Sequence, residues 1–566
     1  LASIIGFRYC AAFASAFALL CSSIPIAFAQ DISRPLFKLL FSGNRDLFDT
    51  WGQLQISVTP VDSIASKSPQ PVIPSLSPQG MAQPEKQIVG AFPLANGRWK
   101  VYFQDFTKLP ASWPGMARWR LRRGTTTDGL TFSNLETVIP ETTGPWTRHL
   151  AMAYNPEARE YLMLKLKTDP RGAPPNDSDG FAYHAWFSSD GRRWTKFSGT
   201  RRDGGLFYEG DAMTVFWSPV LKRFVLVSKS LQPWDKRIRD HGGNKRRVLM
   251  LRTSADGREW TPGGDLTNIF GLNPPRPSDS HPAEWYTVPD AQDPPDLEFY
   301  SGNAFWYHDR AYMMVLNYAA SRMFPEAHGE ELDNEWWTSY DGLHWERPAR
   351  GVNALAPFRM AHKRYDMGPI VLNGQLIWVH HGRHFGLPED RISGVSARVN
   401  GEFSTRLFTM PDGDLLLNTA VPSLDRPWLR HTPQPYVMVE VLNAQGEVIP
   451  GFEKDNCVIW DRSDGQDRDI QVDQTDLRLL WNGVSARKLS GQSIRLRFYF
   501  AGSTIYAITS DPRPVNVVSR MRSESHSMRS GQALNVSLDE DSSALGRLGY
   551  SCQPIALLQP SSSQRP

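Results

Sequence analysis

One tight turn recurs four times along the chain, as "TTDGLTF" (126–132), "SSDGRRW" (188–194), "SADGREW" (254–260) and "SYDGLHW" (339–345). The joined Asp-Gly pair suits a hairpin, because Gly accepts positive φ and Asp can bond its own backbone. In every copy an aromatic residue stands three places after the glycine, where it can fold back over the apolar edge of the hairpin. Each turn follows a strand-like run: "MARWRLRRG", "FAYHAWF", "RRVLMLR" and "ELDNEWW". The turn therefore joins the third and fourth strands of a repeated module.

The first two strands of each module lie upstream, in "KQIVGAFPLANGRWKVYFQDF", "RHLAMAYNPEAREYLMLKLK", "DAMTVFWSPVLKRFVLVSK" and "NAFWYHDRAYMMVLNYA". A fifth module, "GPIVLNGQLIWVHHG", runs on into "ISGVSARVNGEFSTRLF" without the Asp-Gly signature. Five four-stranded antiparallel modules predict an all-β fold, a five-bladed β-propeller over residues 85–410. From 411 to 510 the pattern changes. "YVMVEVLNAQGEVIPGF" and "IRLRFYFAGSTIYAIT" alternate apolar and polar residues around hairpin turns, which predicts a C-terminal antiparallel β-sandwich. Nineteen Trp, 17 Tyr and 28 Phe, beside 43 Gly and 43 Pro, agree with many short strands. Core filling is the expected role of most of the tryptophans.

Outside these regions periodicity is weak. Residues 1–29 combine one basic residue, Arg8, with a short apolar stretch and an Ala27-Phe28-Ala29 ending, the layout of a secretory signal peptide. The expected location is secreted or periplasmic, with no membrane span after cleavage. Residues 30–84 form an N-terminal segment whose 57–84 stretch is a Ser/Pro-rich linker, and 511–566 a mostly disordered tail. Sixty-two basic against 59 acidic residues give no reason to expect a nucleic-acid partner. Of four cysteines, Cys10 and Cys21 fall in the signal segment. Cys457 and Cys552 remain, either paired after export or, for Cys457, buried alone.

Inner strands of a propeller converge on a funnel, so acids at the starts of first strands are candidates for a shared site. "YEGDAM" supplies Glu209 and Asp211, "PDLEFYSG" supplies Asp296 and Glu298, and "RYDMGP" supplies Asp366. The third strand of the fourth module adds Asp333 and Glu335 on one face. Clustered carboxylates raise one another's pKa, so one can donate a proton while another stays ionised, as cleavage of a glycosidic bond requires. Asp211, Glu298, Asp366 and Asp333 are the catalytic candidates. Glu209, Trp285, Tyr300, Trp336, Arg364, Arg383 and His384 are candidates for holding a sugar, through ring faces and hydrogen bonds. "HHGRH" (380–384) places neighbouring side chains on opposite faces of a strand, which argues against a metal site. No cofactor is expected, although the fold leaves room for a cation at the propeller axis.

"GDAMTVFWSPVLKRFVLVSK", "LEFYSGNAFWYHDRAYMMVL", "DNEWWTSYDGLHWERP", "VEVLNAQGEVIPGFEKDNC" and "LSGQSIRLRFYFAGSTIYAI" resemble the five-bladed propeller glycoside hydrolases of the family-32 and family-43 type. The resemblance is to a secreted bacterial family-32-like group and covers residues 85–510. It implies a carbohydrate substrate and hydrolysis by acids on inner strands, with Asp211 at the position of the middle Asp and Glu298 at that of the acid. The first-blade signature is absent: "PEKQIVGAFPL" offers only Glu85, and the middle acid sits in Glu-Gly-Asp-Ala. The alternative expectation is a non-catalytic glycan-binding or cell-surface propeller that kept the fold. Sialidase propellers carry a similar turn, but with a residue between Asp and Gly, and no arginine triad with a tyrosine nucleophile is evident here.

Overall fold

The computed structural model describes residues 37–63, 85–94, 97–108, 116–129, 131–145, 150–168, 181–199, 204–207, 212–233, 245–261, 286–319, 330–355, 368–380, 383–422, 435–460 and 472–511. The chain divides into two units, Leu1–Arg513 and Pro514–Pro566, and the second lies outside the described residues. The described residues form β-strands and short 3-10 turns, with no α-helix.

The modules expected from the repeated turn are antiparallel and follow chain order, the first and fifth being joined into one eight-stranded sheet where His380 pairs with Gln87. The first comprises Glu85–Pro93, Trp99–Lys108, Met116–Thr126 and Ser133–Pro145. The second comprises Leu150–Asn155, Glu160–Thr168, Phe181–Ser188 and Thr195–Lys196. In the third, Met213–Ser218, Arg223–Pro233 and Lys245–Ser254 are followed by Tyr286–Thr287. The fourth consists of Leu297–Tyr307, Arg310–Ala319 and Glu330–Ser339. The fifth starts with Ile370–Leu372, Gln375–His380 and Arg383–Pro388. Its outer strand comes from the far N-terminal side: Asp62–Ser63 pairs with Arg383–Pro388, matching Gly386 to Asp62 and Phe385 to Ser63. The stretch expected to continue the fifth module, residues 393–404, joins the C-terminal sheet instead. The Ser/Pro-rich stretch is likewise structured at its start, where Val61 is buried and its N–H donates to Ala354 O at 2.8 Å.

Apolar contacts join each sheet to the next. Val89, Leu121, Leu150 and Met163 pack first against second. Leu162, Tyr183, Val215 and Leu226 pack second against third. Val225, Leu251, Phe299 and Met313 pack third against fourth, and Phe305, Trp336 and Trp378 pack fourth against fifth. The series returns to its beginning, because Ile370 and Ile377 of the fifth sheet pack on Ile88 and Phe103 of the first. Each such side chain contributes about 1.5–3 kcal/mol when fully buried, so every junction is a substantial core. The architecture is propeller-like and all-β.

The repeated turn serves these junctions. In the second sheet the Gly191 N–H donates to Ser188 Oγ at 2.8 Å, while Asp190 Oδ1 accepts from the N–H groups of Arg192 and Arg193 at 2.7 and 2.9 Å. The same pattern recurs at Ser254-Asp256-Gly257 and Ser339-Asp341-Gly342, and Thr126 replaces the serine in the first copy. Gly191 has φ 70°, and its carbonyl accepts from Tyr102 Oη of the preceding sheet at 2.9 Å. A Cβ there would run into that hydroxyl. The aromatic after each turn joins the junction with the preceding sheet, as Phe132, Trp194, Trp260 and Trp345.

The C-terminal region is one curled sheet rather than the two expected from alternation alone. Its strand order is Val458–Trp460, Tyr436–Asn443, Ser493–Ala501, Ser393–Ser404, Ser503–Asp511, Asp414–Val421 and Val472–Arg478. The strand Ser393–Ser404 pairs with Ser493–Ala501 through its last four residues and with Ser503–Asp511 nearer its start, which carries the sheet around a core including Phe403, Phe498, Val439 and Trp481. Two N-terminal strands extend it: Lys38–Leu40 on Ser503–Asp511 and Phe48–Val58 on Ser393–Ser404. Cys457 is a free thiol buried in this core, and burial pushes its pKa up to about 12. Cys552 lies outside the described residues.

Candidate active site

In every sheet the second strand ends, and the third begins, at the end where the first strand starts. At that end the apolar runs give way to polar residues. The second strands supply Gln104 and Asp105, Lys165, Lys229, and Asn317, all interrupting otherwise hydrophobic segments.

The fourth sheet concentrates carboxylates there. Its register sets Glu298 opposite Tyr318, and Phe299 opposite Asn317. The Asn317 amide Nδ2 donates to Asp333 Oδ1 at 2.8 Å and to Glu335 Oε2 at 3.3 Å. Two carboxylates bonded to one nitrogen lie within about 6 Å of each other. Their environments differ. Glu335 is fully buried and held by Arg347 in a bidentate pair, Nε to Oε1 and Nη2 to Oε2, both at 2.8 Å. The remaining Arg347 nitrogen, Nη1, bonds both oxygens of Asp293 at 2.7 and 2.6 Å. Asp333 is partly exposed and has no guanidinium bonded to it among the described residues. Burial pushes its pKa above the usual carboxylate range; the Asn317 bond opposes this and the nearby Glu335 charge adds to it. Asn317 Oδ1 is buried without a hydrogen-bond partner, an acceptor available to a hydroxyl.

Glu298 is built differently. It is fully buried, forms a close ion pair with the Arg247 guanidinium, and its Oε1 accepts from the Arg247 N–H at 3.3 Å. Glu298, the residue expected at the acid position, is thus enclosed and paired with Arg247. Around it, Tyr300 and Tyr318 stack at 5.3 Å. Lys229 Nζ stands 4.5 Å from the Tyr300 ring centre, and the Arg247 guanidinium 4.7 Å from that of Tyr318. Tyr300 remains half-exposed beside these cations, as a sugar-facing ring requires.

Two further residues are placed elsewhere. Trp336 is 1% exposed and packed against Phe305 and Trp378 in the junction between fourth and fifth sheets, so its ring is not a sugar platform. His384 is buried near the Asp128-Gly129 turn of the first sheet, away from the fourth-sheet carboxylates, and burial lowers its pKa. Asp211, Asp366, Glu209, Trp285 and Arg364 lie outside the described residues, as does the side chain of Arg383.

Sequence reasoning missed Asn317, Arg247, Lys229 and Lys165. The signal was a polar residue inside an apolar second strand, as in "YLMLKLK" and "MMVLNYA". Lys165 lies opposite His184 across the second sheet, with its Nζ 3.4 Å from the Trp119 ring centre. Burial lowers its pKa to about 7. Among the described residues no group of three or more His, Cys, Asp and Glu could hold a metal, and no helix is long and apolar enough to cross a membrane.

No family model matches the chain, and no curated protein matches it by sequence. Solved structures similar to it include glycoside hydrolases. Zg3597, a family 117 glycoside hydrolase of the marine bacterium Zobellia galactanivorans, is 11% identical, with 64% of this chain and 86% of that chain covered and a TM-score of 0.29. The Bombyx mori GH32 β-fructofuranosidase BmSUC1 is 11% identical over 76% of this chain and 94% of its own, with a TM-score of 0.29. The exo-β-1,3-galactanase 1,3Gal43A of Clostridium thermocellum is 11% identical, covering 81% and 98%, again with a TM-score of 0.29. Likeness at this level assigns no residue and no substrate to the present chain.

Proposed function

We propose that the protein is a secreted glycoside hydrolase, built as a five-bladed propeller whose modules run from 85 to 388 with an outer strand from 62–63, followed by a C-terminal β-domain that begins at 393. The observation that carries this reading is the Asp333–Asn317–Glu335 arrangement: two close carboxylates, one fixed by Arg347 and one pushed toward its protonated form. Environments that treat two neighbouring carboxyls differently are how acid and base roles are divided between them. In this reading Asp333 protonates the leaving glycosidic oxygen. Glu335, too enclosed to attack, keeps the proton on Asp333 through its charge. Asp366 is the candidate for the base or nucleophile, and Asp211 for the middle Asp that steadies the transition state. Tyr300 offers a ring face to the substrate.

A second reading, a non-catalytic glycan-binding propeller, is favoured by one observation: Glu298 and Glu335 are both spent on buried arginine pairs. Release of reducing ends from a panel of polysaccharides separates the two. Hydrolysis predicts turnover of at least one glycan, lost by about 10²-fold or more in Asp333→Asn. Glycan binding without turnover by the wild type rejects the enzymatic reading in favour of the second.

A further inference from the structure

On the Arg347 side of Glu335, the fourth sheet borders a cleft of about 740 Å³. Three distant segments build it: residues 44–45, residues 287–290, and the stretch from Trp337 through the fourth repeated turn to Arg350. Its volume falls in the range of small-ligand sites. The geometry points to a neutral saccharide subsite in this cleft, beside the candidate active site and bordering it at Arg347.

The lining combines apolar and polar groups in the way a sugar ring demands. Leu343, Trp345 and Val288 give it apolar surfaces, with Leu343 and Trp345 half-exposed and Val288 53% exposed, while Trp337 is buried behind them in the junction core.

Charge selects among polar ligands. The cleft carries three guanidiniums, and each is already engaged. Arg347 is committed to Glu335 and Asp293, Arg350 bonds Asp290 and Asp293, and Arg45 pairs with Glu346. His344 pairs with Asp341, so among the described lining residues no free guanidinium or ammonium is left for a phosphate, sulfate or uronate. What remains is a rim of paired donors and acceptors, the Asn44 amide among its lining groups, around those apolar surfaces. A neutral polyhydroxylated ring can bond both members of such pairs without separating them. An anion would have to displace a carboxylate from its arginine.

The test uses the full chain carrying Asp333→Asn, so that hydrolysis does not consume the probe. Cellotetraose, maltotetraose, xylotetraose and mannotetraose are titrated in turn by calorimetry, with tetragalacturonate as the charged counterpart. At least one neutral tetraose is expected to bind. Val288→Trp, which fills the cleft from an exposed position, should weaken that binding at least tenfold, and Trp345→Ala should do the same. Thermal melting confirms that both variants fold. The inference is overturned if no neutral tetraose binds, if binding is undiminished in Val288→Trp, or if tetragalacturonate binds more tightly than every neutral probe. Because this readout is binding in an inactive background, its failure leaves the hydrolase reading intact, and the reverse also holds.

Discussion

Asp333 and Glu335 share one hydrogen-bond donor, the Asn317 amide, yet only Glu335 is neutralised by an arginine. The asymmetry follows from the strand. Residues two apart share a face, so both carboxyls reach Asn317, but Arg347 arrives from beyond the repeated turn and meets Glu335. Removing the bridge should be felt by both acids. Asn317→Leu, close in volume but without the amide, leaves Asp333 and Glu335 facing one another with less compensation. It is expected to destabilise the fold by about 1–3 kcal/mol in urea unfolding at pH 7.

Asp333 also sets a pH dependence. Its folded pKa is raised, so the folded state binds its proton more tightly than the unfolded state. That contribution is complete below the ordinary carboxylate value, about 3.9, and is lost as pH rises through the higher folded value. Relative to Asp333→Asn, the wild type should therefore lose stability on going from pH 4 to pH 7. Paired urea titrations at the two pH values measure the difference.

Lys165 titrates in a lower pH range than an ordinary lysine. With its pKa lowered by burial to about 7, the unfolded chain binds the extra proton between pH 7 and the usual lysine value near 10.4. Stability attributable to Lys165 should rise with pH across that interval, and Lys165→Met should lack the rise. Melting temperatures of the two proteins from pH 7 to 10 test this.

The turn aspartates predict acid lability. Burial opposes ionisation of Asp256 and Asp341, but hydrogen bonds win: at Asp256 from the Arg258 and Glu259 N–H groups and Ser254, at Asp341 from His344, Leu343 and Ser339. Both carboxyls are thus held below their usual range. Their stabilisation is present above about pH 4 and disappears as pH falls through the lowered values. Asp256→Ala and Asp341→Ala should each lose about 1–2 kcal/mol at pH 7 and little at pH 2, in chemical denaturation.

Gly191 is fixed by two independent demands, a φ of 70° and the Tyr102 hydroxyl where a Cβ would lie. Gly191→Ala should cost about 2–4 kcal/mol, combining backbone strain with overpacking. If Tyr102 is the obstacle, Tyr102→Phe in the same chain should recover part of the loss. Thermal and urea unfolding of the three proteins settle the comparison.

The sequence made the local devices legible and hid the distant ones. An Asp-Gly turn with its hydroxyl and following aromatic is encoded within seven residues, so its place between third and fourth strands could be read directly. The outer strand of the fifth sheet comes from Asp62–Ser63, more than three hundred residues before its partner, and nothing local announces it. Glu298 was found at the start of a first strand, but its Arg247 partner lies fifty-one positions upstream, and that pairing encloses it. Trp336 and Trp337 are adjacent in sequence and face different junctions, Trp336 toward the fifth sheet and Trp337 toward the third. Alternation alone identifies two faces without saying that both are buried.

The most direct measurement is the pH profile of kcat/KM on a hydrolysed glycan, for the wild type and for Glu335→Gln. The account predicts turnover by the wild type with a basic limb set by the protonated Asp333, and a shift of that limb to lower pH once the Glu335 charge is removed. A limb unmoved by Glu335→Gln, or a wild type that releases no reducing ends from any glycan it binds, would contradict it.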